Sequence, residues 1–558
     1  MPGIVRTSER CSCPGSWTRG ASAPFRAPVR CASVAPMTTE TSSAASTGTV
    51  VLAASGLTPA DVLAVARRRA RVELDPAARE RVAQVRAHVD ALARGETPVY
   101  GVSTGFGALA DTAIEPSMRQ QLQRSLIVSH AAGTGPEVEP EVVRALMLLR
   151  AKTLASGHTG VRPVVVETMI ALLNAQITPI VHEYGSLGCS GDLAPLAHCA
   201  IVLLGEGRAR DRDGAERPVP ELLAEAGIEP LVLEEKEGLA LINGTDGMLG
   251  QLLLALADLD ELVRIADITT SLSVQALRGK DTPFRAELHE GLRPHPGQTA
   301  SAANVLALLE DSPIIADAAS EGSRVQDAYS LRCAPQVAGA VRDTLDHART
   351  VAERELAAAI DNPVVLSDGQ IVSNGNFHGA PVGYVLDFLA IAACDLASMS
   401  ERRSDRMLDR SRSFGLPPFL ADDPGVDSGF MIAQYTQAAL VSEMKRLAAP
   451  ASVDSIPSSA MQEDHVSMGW HAARKLRTAV ACLRRVLAIE LLTAARAVDL
   501  RAPLAPSAAG AAAIAVLREG ADGPGPDRFL APDIAAAEAC LADGRVLAAV
   551  EGVVGRLR

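Results

Sequence analysis

Residues 184–198 read Tyr184-Gly185-Ser186-Leu187-Gly188-Cys189-Ser190-Gly191-Asp192-Leu193-Ala194-Pro195-Leu196-Ala197-His198. Asp192 is a natural helix N-cap residue, and Pro195 falls in the first turn of the helix that would follow, where its missing N–H costs little. The pattern predicts a loop that ends at Gly191 and a helix that begins at about Leu193. The triplet Cys189-Ser190-Gly191 would then lie at a helix N-terminus, where the helix dipole favours negative charge.

Three interpretations compete for this triplet. Most such loops are plain glycine-rich turns. A nucleophilic Ser or Cys is the second interpretation, but the pattern Gly-x-Ser-x-Gly is absent because Asp192 stands where the second glycine should be. The third is backbone self-modification, in which the Gly191 amide nitrogen attacks the Cys189 carbonyl carbon and two waters leave. The product is a methylidene-imidazolone, an electrophilic alkene; Gly191 has no Cβ to block closure, and loss of the Ser190 hydroxyl creates the alkene.

Six further motifs lie along the chain: Tyr100-Gly101-Val102-Ser103-Thr104-Gly105-Phe106-Gly107, Ser129-His130-Ala131-Ala132-Gly133-Thr134-Gly135, Leu241-Ile242-Asn243-Gly244-Thr245, Gln326-Asp327-Ala328-Tyr329-Ser330-Leu331-Arg332-Cys333, Asn374-Gly375-Asn376-Phe377-His378 and Met461-Gln462-Glu463-Asp464-His465-Val466-Ser467-Met468. With the triplet, they make the chain resemble the histidine ammonia-lyases, within the aromatic amino-acid lyases, from about Thr49 to the C-terminal region. The common family triplet is Ala-Ser-Gly, whereas this chain has Cys189 in the first place, as in an actinobacterial-like variant. The ring uses only backbone atoms of that residue, so the departure is expected to be tolerated.

The resemblance implies roles for several residues. Tyr100 would be the catalytic base on a lid loop, and since a free Tyr has a pKa of about 10, its anion would need positive potential nearby. Arg332 would bind the α-carboxylate through its planar guanidinium group. His130 and Glu463 would address the imidazole, because phenylalanine-specific relatives carry an apolar residue at the first position and usually an amide near the second. Asn243 would contact the prosthetic group and the substrate amine.

The remaining implied site residues are Gln326, Tyr329 and Phe377. Gln326 and Tyr329 would be pocket residues, with Tyr329 among the catalytic groups, and Phe377 would lie near the electrophile. The self-formed ring would be the one prosthetic group, with no metal and no external cofactor. Members of the family are homotetramers with active sites shared between chains, so Tyr329 and Phe377 are expected to act in a neighbouring chain's site. Without the resemblance, ordinary caps, salt bridges and structural histidines would explain these residue types better than functional roles would.

Composition restricts the class of protein. Hydrophobic residues make up 48% of the chain and aromatic residues only 3%, which favours packed helices. The formal net charge of −13 argues against a nucleic-acid or anionic-membrane partner. The most apolar run, Ala380–Ser398, contains Asp387 and Asp395, so no membrane span is expected. Nine cysteines without metal-ligand spacing indicate reduced thiols in a cytoplasmic protein.

The N-terminal part differs from the rest. Residues 1–36 contain five arginines and one acidic residue, are rich in Ser, Pro and Gly, and lack a secretory apolar region, although a transit peptide has a similar composition. We expect residues 1–48 to be a disordered extension, with an upstream start and a second start at Met37. Residues 49–558 would form the catalytic domain.

Helical periodicity dominates the remainder. Apolar residues recur at three- and four-residue spacing in four long stretches, Asp246–Leu277, Pro335–Ile360, Ala380–Arg412 and Val466–Val498. Shorter elements are predicted as a strand at Val50–Ala53, a helix opened by Thr58 and Pro59, and helices at Pro76–Ala93 and Gln121–His130. The charged segment Arg208–Pro220 is predicted to be an exposed excursion. The fold class is therefore mainly α, an elongated bundle of long helices with a smaller N-terminal lid region.

The resemblance to the histidine ammonia-lyases implies non-oxidative deamination of L-histidine to trans-urocanate and ammonia, the first step of histidine degradation. The nearest alternative is a tyrosine ammonia-lyase or an aminomutase with the same prosthetic group. An alternative of another class is a hydrolase that uses Ser190 or Cys189 as its nucleophile. A helical scaffold without activity is the third alternative, and it leaves the polar motifs between the helices unexplained.

Overall fold

The computed structural model describes residues 48–95, 101–105, 112–321 and 325–558. The helices are α1 (Pro59–Arg68), α2 (Pro76–Ala93), α3 (Arg119–His130), α4 (Pro140–Ala155), α5 (Pro163–Asn174), α6 (Leu193–Leu203), α7 (Val219–Ala226), α8 (Glu237–Ile242), α9 (Asp246–Ala276), α10 (Ala286–His289), α11 (Pro296–Leu309), α12 (Pro313–Glu321), α13 (Tyr329–Arg332), α14 (Ala334–Ala357), α15 (Ala380–Leu408), α16 (Met431–Leu447), α17 (Gly469–Asp499), α18 (Ala508–Leu517), α19 (Ala531–Ala542) and α20 (Arg545–Val554). The strands are short: β1 (Val50–Leu52), β2 (Val72–Leu74), β3 (Thr134–Glu137), β4 (Thr178–Pro179), β5 (His182–Tyr184), β6 (Arg208–Arg210), β7 (Glu216–Pro218), β8 (Val364–Val365) and β9 (Ile371–Val372).

Long helices form the centre of the fold. Helix α17 packs along α15 and α9, while α14 packs against α11, α15 and α9. Their facing sides are apolar, and one hydrophobic core runs through all of them. A buried carboxylate joins three of these helices. Glu490 on α17 accepts from the guanidinium of Arg403 on α15 (Nη2–Oε2, 2.8 Å) and from the hydroxyl of Thr269 on α9 (2.8 Å). The prediction of a mainly α fold is confirmed.

The small sheets lie at the ends of helices. Strand β1 pairs in parallel with β2, with Val50 opposite Val72, and β8 pairs antiparallel with β9. Strand β3 pairs antiparallel with β5, which leads into the glycine-rich loop. The segment Arg208–Pro220, predicted to be an exposed excursion, is mostly exposed; its residues 208–218 form the β6–β7 hairpin, which extends β4. Its turn is held by Asp211, whose carboxylate accepts the backbone N–H groups of Asp213 and Ala215.

The observed helix bounds agree best with the predicted ones where the residues at the helix end determine them. Helix α2 has the predicted bounds, since Asp75 caps it and Pro76 opens it. Helix α1 begins with the predicted Thr58 cap and Pro59, in a capping box with Asp61. Helix α15 ends at Leu408, four residues before the predicted Arg412. It stops there because Asp409 is extended and its carboxylate accepts from the backbone N–H and hydroxyl of Ser411.

Helix α15 is, among the described helices, the single one with the length and hydropathy to cross a membrane. Most of its apolar window is buried inside the protein, and it packs between α14, α16 and α17. The buried Asp387 on this helix accepts from the ammonium group of Lys475 on α17 (2.6 Å). Helix α15 therefore has the burial and the paired charge of a core helix.

Candidate active site

Three connections meet around the triplet: the β5–α6 loop, the α8–α9 turn and the α16–α17 segment. The backbone N–H of Ser467 donates to the Gly188 carbonyl (3.3 Å), and that of Met468 donates to the Leu187 carbonyl (3.0 Å). Gly188 has φ +74°, and a β-carbon there would overlap the Ser467 hydroxyl. The same contacts explain why α17 begins at Gly469 and not at the predicted Val466, because Ser467 and Met468 are used to hold the loop.

The turn between α8 and α9 forms backbone hydrogen bonds with the triplet on its other side. The N–H of Gly244 donates to the Ser190 carbonyl (3.1 Å), and the N–H of Asp192 donates to the Gly244 carbonyl (2.8 Å). Gly191 lies between these two bonds with φ +76°, and any side chain on it would overlap the Gly244 carbonyl. A buried arginine supports the turn, since Arg150 donates to the carbonyls of Ala240 and Asn243 and pairs with Asp246 (2.8 Å).

Helix α6 begins at Leu193, as predicted, but Asp192 does not cap it with its side chain. The carboxylate instead accepts from the backbone N–H of Met248 in the first turn of α9 (2.8 Å) and from the Ser186 hydroxyl (3.2 Å). Asp192 is fully buried, and burial raises the pKa of its carboxyl to about 7. The side chain thus joins the N-terminal ends of α6 and α9, two helices whose dipoles point positive potential at the loop.

The triplet side chains do not have the environment of a hydrolytic nucleophile. The Ser190 hydroxyl oxygen is buried and has no hydrogen-bond partner among the residues that the structure describes, so none of those residues is positioned as a base to activate it. Burial raises the pKa of the Cys189 thiol to about 11, which keeps it protonated near neutral pH. The geometry therefore gives no support to the Ser or Cys hydrolase.

A cleft of about 1130 Å³ opens over the triplet. The predicted site residues that line it are His130, Cys189, Ser190, Asn243, Phe377 and Glu463. The cleft is bounded by the ends of α3 and α8, by the loop before α15 and by the segment before α17. The fold thus brings together residues that lie far apart along the chain and that the family resemblance assigned to one site.

His130 and Glu463 lie at the same cleft. His130 is the last residue of α3, and its Nδ1 is 3.1 Å from the Ser129 hydroxyl. Burial lowers the pKa of His130 from its ordinary value of 6.5, although the negative charge of Glu463 opposes that shift, so the imidazole is neutral near pH 7. The Glu463 carboxylate accepts from the Ser458 hydroxyl (2.8 Å). The pair offers one carboxylate and one neutral ring to a polar ligand.

Asn243 and Phe377 form other parts of the wall. Asn243 is buried, and its Nδ2 donates to the backbone carbonyls of Leu239 (3.0 Å) and Asn362 (3.3 Å). Both donor hydrogens have protein partners, so the amide oxygen is the atom with acceptor capacity toward the cleft. Phe377 lines the cleft of its own chain, and its predicted action in a neighbour's site stays a prediction.

The motif that contains Gln326, Tyr329 and Arg332 lies elsewhere, since none of the three lines this cleft. The Tyr329 side chain is 70% exposed, and the Arg332 guanidinium lies over its ring, 4.7 Å from the centroid. Arg332 also donates to the Asp327 carbonyl (2.9 Å). Gln326 is exposed at the same surface. Within one chain the predicted carboxylate-binding group is thus separate from the predicted electrophile.

Two further sequence predictions concern Tyr100 and the expected absence of a metal site. Tyr100, the predicted base, lies outside the described residues. For a metal, no group of three or more His, Cys, Asp or Glu side chains is arranged as ligands within the described ranges.

Sequence reasoning missed three residues of the site. Gly244, which grips the triplet, was noticed only as part of a motif, and Arg150 supports it from the interior of α4. Ser458 bonds to Glu463 and lies 3.4 Å from the Cys189 sulfur. The contact between Gly191 and Gly244 had one signal in the sequence, the glycine of the motif that connects two helices. Arg150 and Ser458 gave none: the contacts of Arg150 are distant in sequence, and a serine five residues before Glu463 has no pattern that indicates a bond to its carboxylate.

Comparison with known proteins gives consistent results. The family Aromatic amino acid lyase matches residues 57–519. The histidine ammonia-lyase of Streptomyces avermitilis is 66% identical over 510 residues, which cover 91% of this chain and 99% of that protein. The crystal structure of tyrosine aminomutase from Streptomyces globisporus aligns with a TM-score of 0.85 at 40% identity, covering 92% of this chain and 100% of that chain. Histidine ammonia-lyase from Trypanosoma cruzi aligns with a TM-score of 0.83 at 37% identity, covering 90% and 95% of the two chains.

Proposed function

The chain belongs to the aromatic amino acid lyase family, and we propose that its reaction in that family is the deamination of L-histidine to trans-urocanate and ammonia. It is a carbon–nitrogen lyase. The observation that carries the substrate assignment is the joint position of Glu463 and His130 at the cleft that contains Ser190. A carboxylate and an imidazole suit a ligand ring with N–H and N: groups, which phenylalanine lacks.

The prosthetic group implied by the family is the methylidene-imidazolone formed from Cys189-Ser190-Gly191. The residues present fit it: the Ser190 hydroxyl is buried without a hydrogen-bond partner in the described part of the chain, and Gly191 is held where no Cβ is allowed. Two backbone hydrogen bonds from Gly244 and Asp192 bend the chain at this point. Once formed, the group would supply an electrophile for activation of the substrate. No metal and no external cofactor enter the proposal.

The other side chains would bind and orient the substrate. Glu463 would accept a ring N–H, and the neutral His130 would complete the contacts to the imidazole. The Asn243 amide oxygen would accept from the substrate amine, since its nitrogen already donates to two carbonyls. Tyr100 would take the β-proton, and the positive ends of α6 and α9 would stabilise its anion.

Arg332, Tyr329 and Gln326 would reach the cleft of a neighbouring subunit in a homotetramer. Two observations support this: these residues do not line the cleft of their own chain, and α15 exposes an apolar stripe. Tyr384, Phe388 and Ile391 on that stripe are each close to half exposed, at spacing that puts them on one helix face. Arg332 would bind the α-carboxylate, and Tyr329 with Gln326 would close the pocket.

The shared site can be tested by complementation. Ser190→Ala and Arg332→Ala should each be inactive, yet their co-expression should restore part of the activity, because mixed tetramers contain some sites with neither change. The matched control is Ser190→Ala co-expressed with Glu463→Gln, whose residues line one cleft of one chain, and which should restore none. Equal behaviour of the two mixtures would contradict a site shared in this way.

The substrate itself is tested by wild-type turnover. Urocanate, coumarate and cinnamate are distinguished by ultraviolet absorbance, and an aminomutase would give a β-amino acid without release of ammonia. The proposal requires urocanate to form fastest. A tyrosine ammonia-lyase or aminomutase remains the alternative because of the 40% identity to a tyrosine aminomutase. The location proposed is cytoplasmic, in keeping with the six cysteines of the described chain, all of which are free thiols.

A further inference from the structure

The carboxylate of Glu463 accepts a hydrogen bond from a neighbouring hydroxyl. Ser458 Oγ donates to Glu463 Oε2 at 2.8 Å; both residues are half-buried, and Glu463 lines the cleft. A hydroxyl bound to one carboxylate oxygen leaves the other oxygen available to a ligand. The orientation of the carboxylate toward the cleft therefore depends on Ser458.

The backbone keeps this pair together. The N–H of Ser458 donates to the Glu463 carbonyl (3.0 Å), and the N–H of Glu463 donates to the Ser458 carbonyl (3.3 Å). Residues 458–463 thus form a closed loop whose two ends face each other as an isolated β-bridge. The side-chain bond spans a fixed backbone frame, so little conformational entropy is lost when it forms.

The first residue of the triplet extends the chain of hydrogen bonds. The Cys189 sulfur lies 3.4 Å from Ser458 Oγ. Burial, with the Glu463 carboxylate beside it, keeps the thiol protonated by raising its pKa to about 11. The S–H can then donate to the Ser458 hydroxyl while that hydroxyl donates to Glu463, a directed sequence in which each bond polarises the next.

We propose that Ser458 is the positioning residue of the imidazole-binding carboxylate, and that the Cys189 thiol holds the Ser458 hydroxyl in its donating orientation. In this view Cys189 contributes more than backbone atoms: its side chain links the triplet to the group that recognises the substrate ring. The inference rests on the proposed function. It assigns to Ser458 a role in ring recognition that is distinct from the formation of the prosthetic group.

The test compares ligands that differ in the ring. Urocanate and cinnamate have the same acrylate group but carry an imidazole and a benzene ring, so binding of each to Ser458→Ala is measured by calorimetry, with KM and kcat for L-histidine measured beside it. Loss of a hydrogen bond to a charged group should weaken urocanate binding about 10-fold or more. Cinnamate binding should stay the same, because it does not use Glu463. Ser458→Thr keeps the hydroxyl and should restore urocanate binding.

Cys189→Ala should weaken urocanate binding less than Ser458→Ala does, in the same ligand-selective way. A peptide containing residues 189–191 should still weigh two water molecules less than its encoded mass in both variants, which separates ring recognition from maturation. Ser452→Ala is the matched control, since Ser452 is a half-buried serine of the same segment outside the cleft. It should leave all constants unchanged.

The outcomes separate the two proposals. If wild type makes no urocanate, the proposed function is wrong, whatever Ser458 does. If wild type makes urocanate and Ser458→Ala binds it normally, the inference alone is wrong. Equal weakening of urocanate and cinnamate would also overturn it, because a general structural defect would then explain the loss. Failure of Ser458→Thr to restore binding would overturn the role of the hydroxyl.

Discussion

The backbone of Gly191 lies against that of Gly244, so closely that a β-carbon on Gly191 would overlap the Gly244 carbonyl oxygen. This contact connects the central loop to the start of α9 through two hydrogen bonds, one on each side of Gly191. The attacking nitrogen of the proposed cyclisation belongs to the same residue. Gly191 is therefore required twice, by the chemistry of the ring and by the fold around it.

Gly191→Ala should abolish both maturation and activity. The added methyl group must displace the Gly244 backbone, and the φ of +76° disfavours any L side chain. Mass spectrometry of the peptide should find its full encoded mass, and urocanate formation should fall to background. Gly552→Ala is the control, because a Cβ on that exposed glycine of α20 meets no atom within 4 Å. A dehydrated, active Gly191→Ala protein would contradict the proposed closure.

Ser190→Ala should remove the prosthetic group through chemistry alone. The side chain is small and its hydroxyl makes no hydrogen bond among the described residues, so the substitution should leave the fold intact. The mass deficit of two waters and the activity should both disappear, while the thermal midpoint stays near that of wild type. Cys189→Ala, in contrast, should keep the deficit and remain active. An unmodified peptide from active wild-type protein would contradict the proposed ring formation.

Burial of Asp192 should make stability depend on pH. Its folded-state pKa of about 7 lies above the ordinary value of 3.8, so the native protein holds this proton more tightly than the unfolded chain does. The cost of ionising the group is absent below about pH 4, grows as the pH rises and is complete above about pH 7, where it reaches roughly 4 kcal/mol. Asp192→Asn removes that cost and can keep the bond from Met248.

The measurement is the thermal midpoint of Asp192→Asn minus that of wild type between pH 5 and 8.5, in matched buffers. This difference should rise with pH, and other titrating groups cancel in the comparison. Asp213→Asn, at an exposed position in the β6–β7 turn, controls for the loss of one negative charge. A difference that is flat or falls with pH would contradict a raised pKa for Asp192.

Residues 1–36 should be dispensable. Their composition, basic and rich in Pro, Ser and Gly, lacks the apolar periodicity of a packed element, and they lie outside the described residues. A protein that starts at Met37 should keep its oligomeric state, measured by light scattering, and its full turnover. Loss of either would mean that the segment folds or docks onto the remainder.

Local chemistry made much of the fold predictable. Helix α2 could be located from Asp75 and Pro76, whose capping and ring geometry act within one turn. The start of α17 could not, because Ser467 and Met468 bond to a loop nearly three hundred residues earlier. Asp192 is the intermediate case: its position before α6 was predictable, but its carboxylate bonds to Met248 and not to its own helix. Tertiary partners decided both differences.

The site residues show the same difference between what local sequence indicates and what tertiary contacts determine. The family resemblance selected Glu463, His130, Asn243 and Phe377, and these residues do line one cleft with the triplet. Ser458 was not selected, because no motif includes it and one of its two partners, the Cys189 sulfur, lies 269 positions away. The separation of Arg332 from the cleft likewise depends on how α13 packs in three dimensions. Residue type and spacing indicate chemistry, whereas the partners of each side chain follow from the whole fold.

Glu463 and His130 are expected to decide between histidine and its aromatic analogues. Arg332 and the prosthetic group act on atoms common to histidine, tyrosine and phenylalanine, so they do not discriminate among them. Glu463 and His130 can discriminate, because a site built to hydrogen-bond a ring N–H leaves buried polar groups unpaired when that N–H is absent. Tyrosine would place a hydroxyl where the imidazole nitrogen should lie.

Glu463→Gln should therefore reduce kcat/KM for histidine by about 10²-fold or more, the scale of a lost charged hydrogen bond with an unpaired partner, while the peptide mass still carries the deficit of two waters. The double variant Glu463→Gln, His130→Leu should shift the preference toward phenylalanine, since both polar partners of the ring are then replaced, although its absolute rate will be low. Urocanate and cinnamate formation, followed by ultraviolet absorbance, measure both effects. If wild type forms coumarate or cinnamate faster than urocanate, the histidine assignment is wrong and the tyrosine-lyase alternative takes its place.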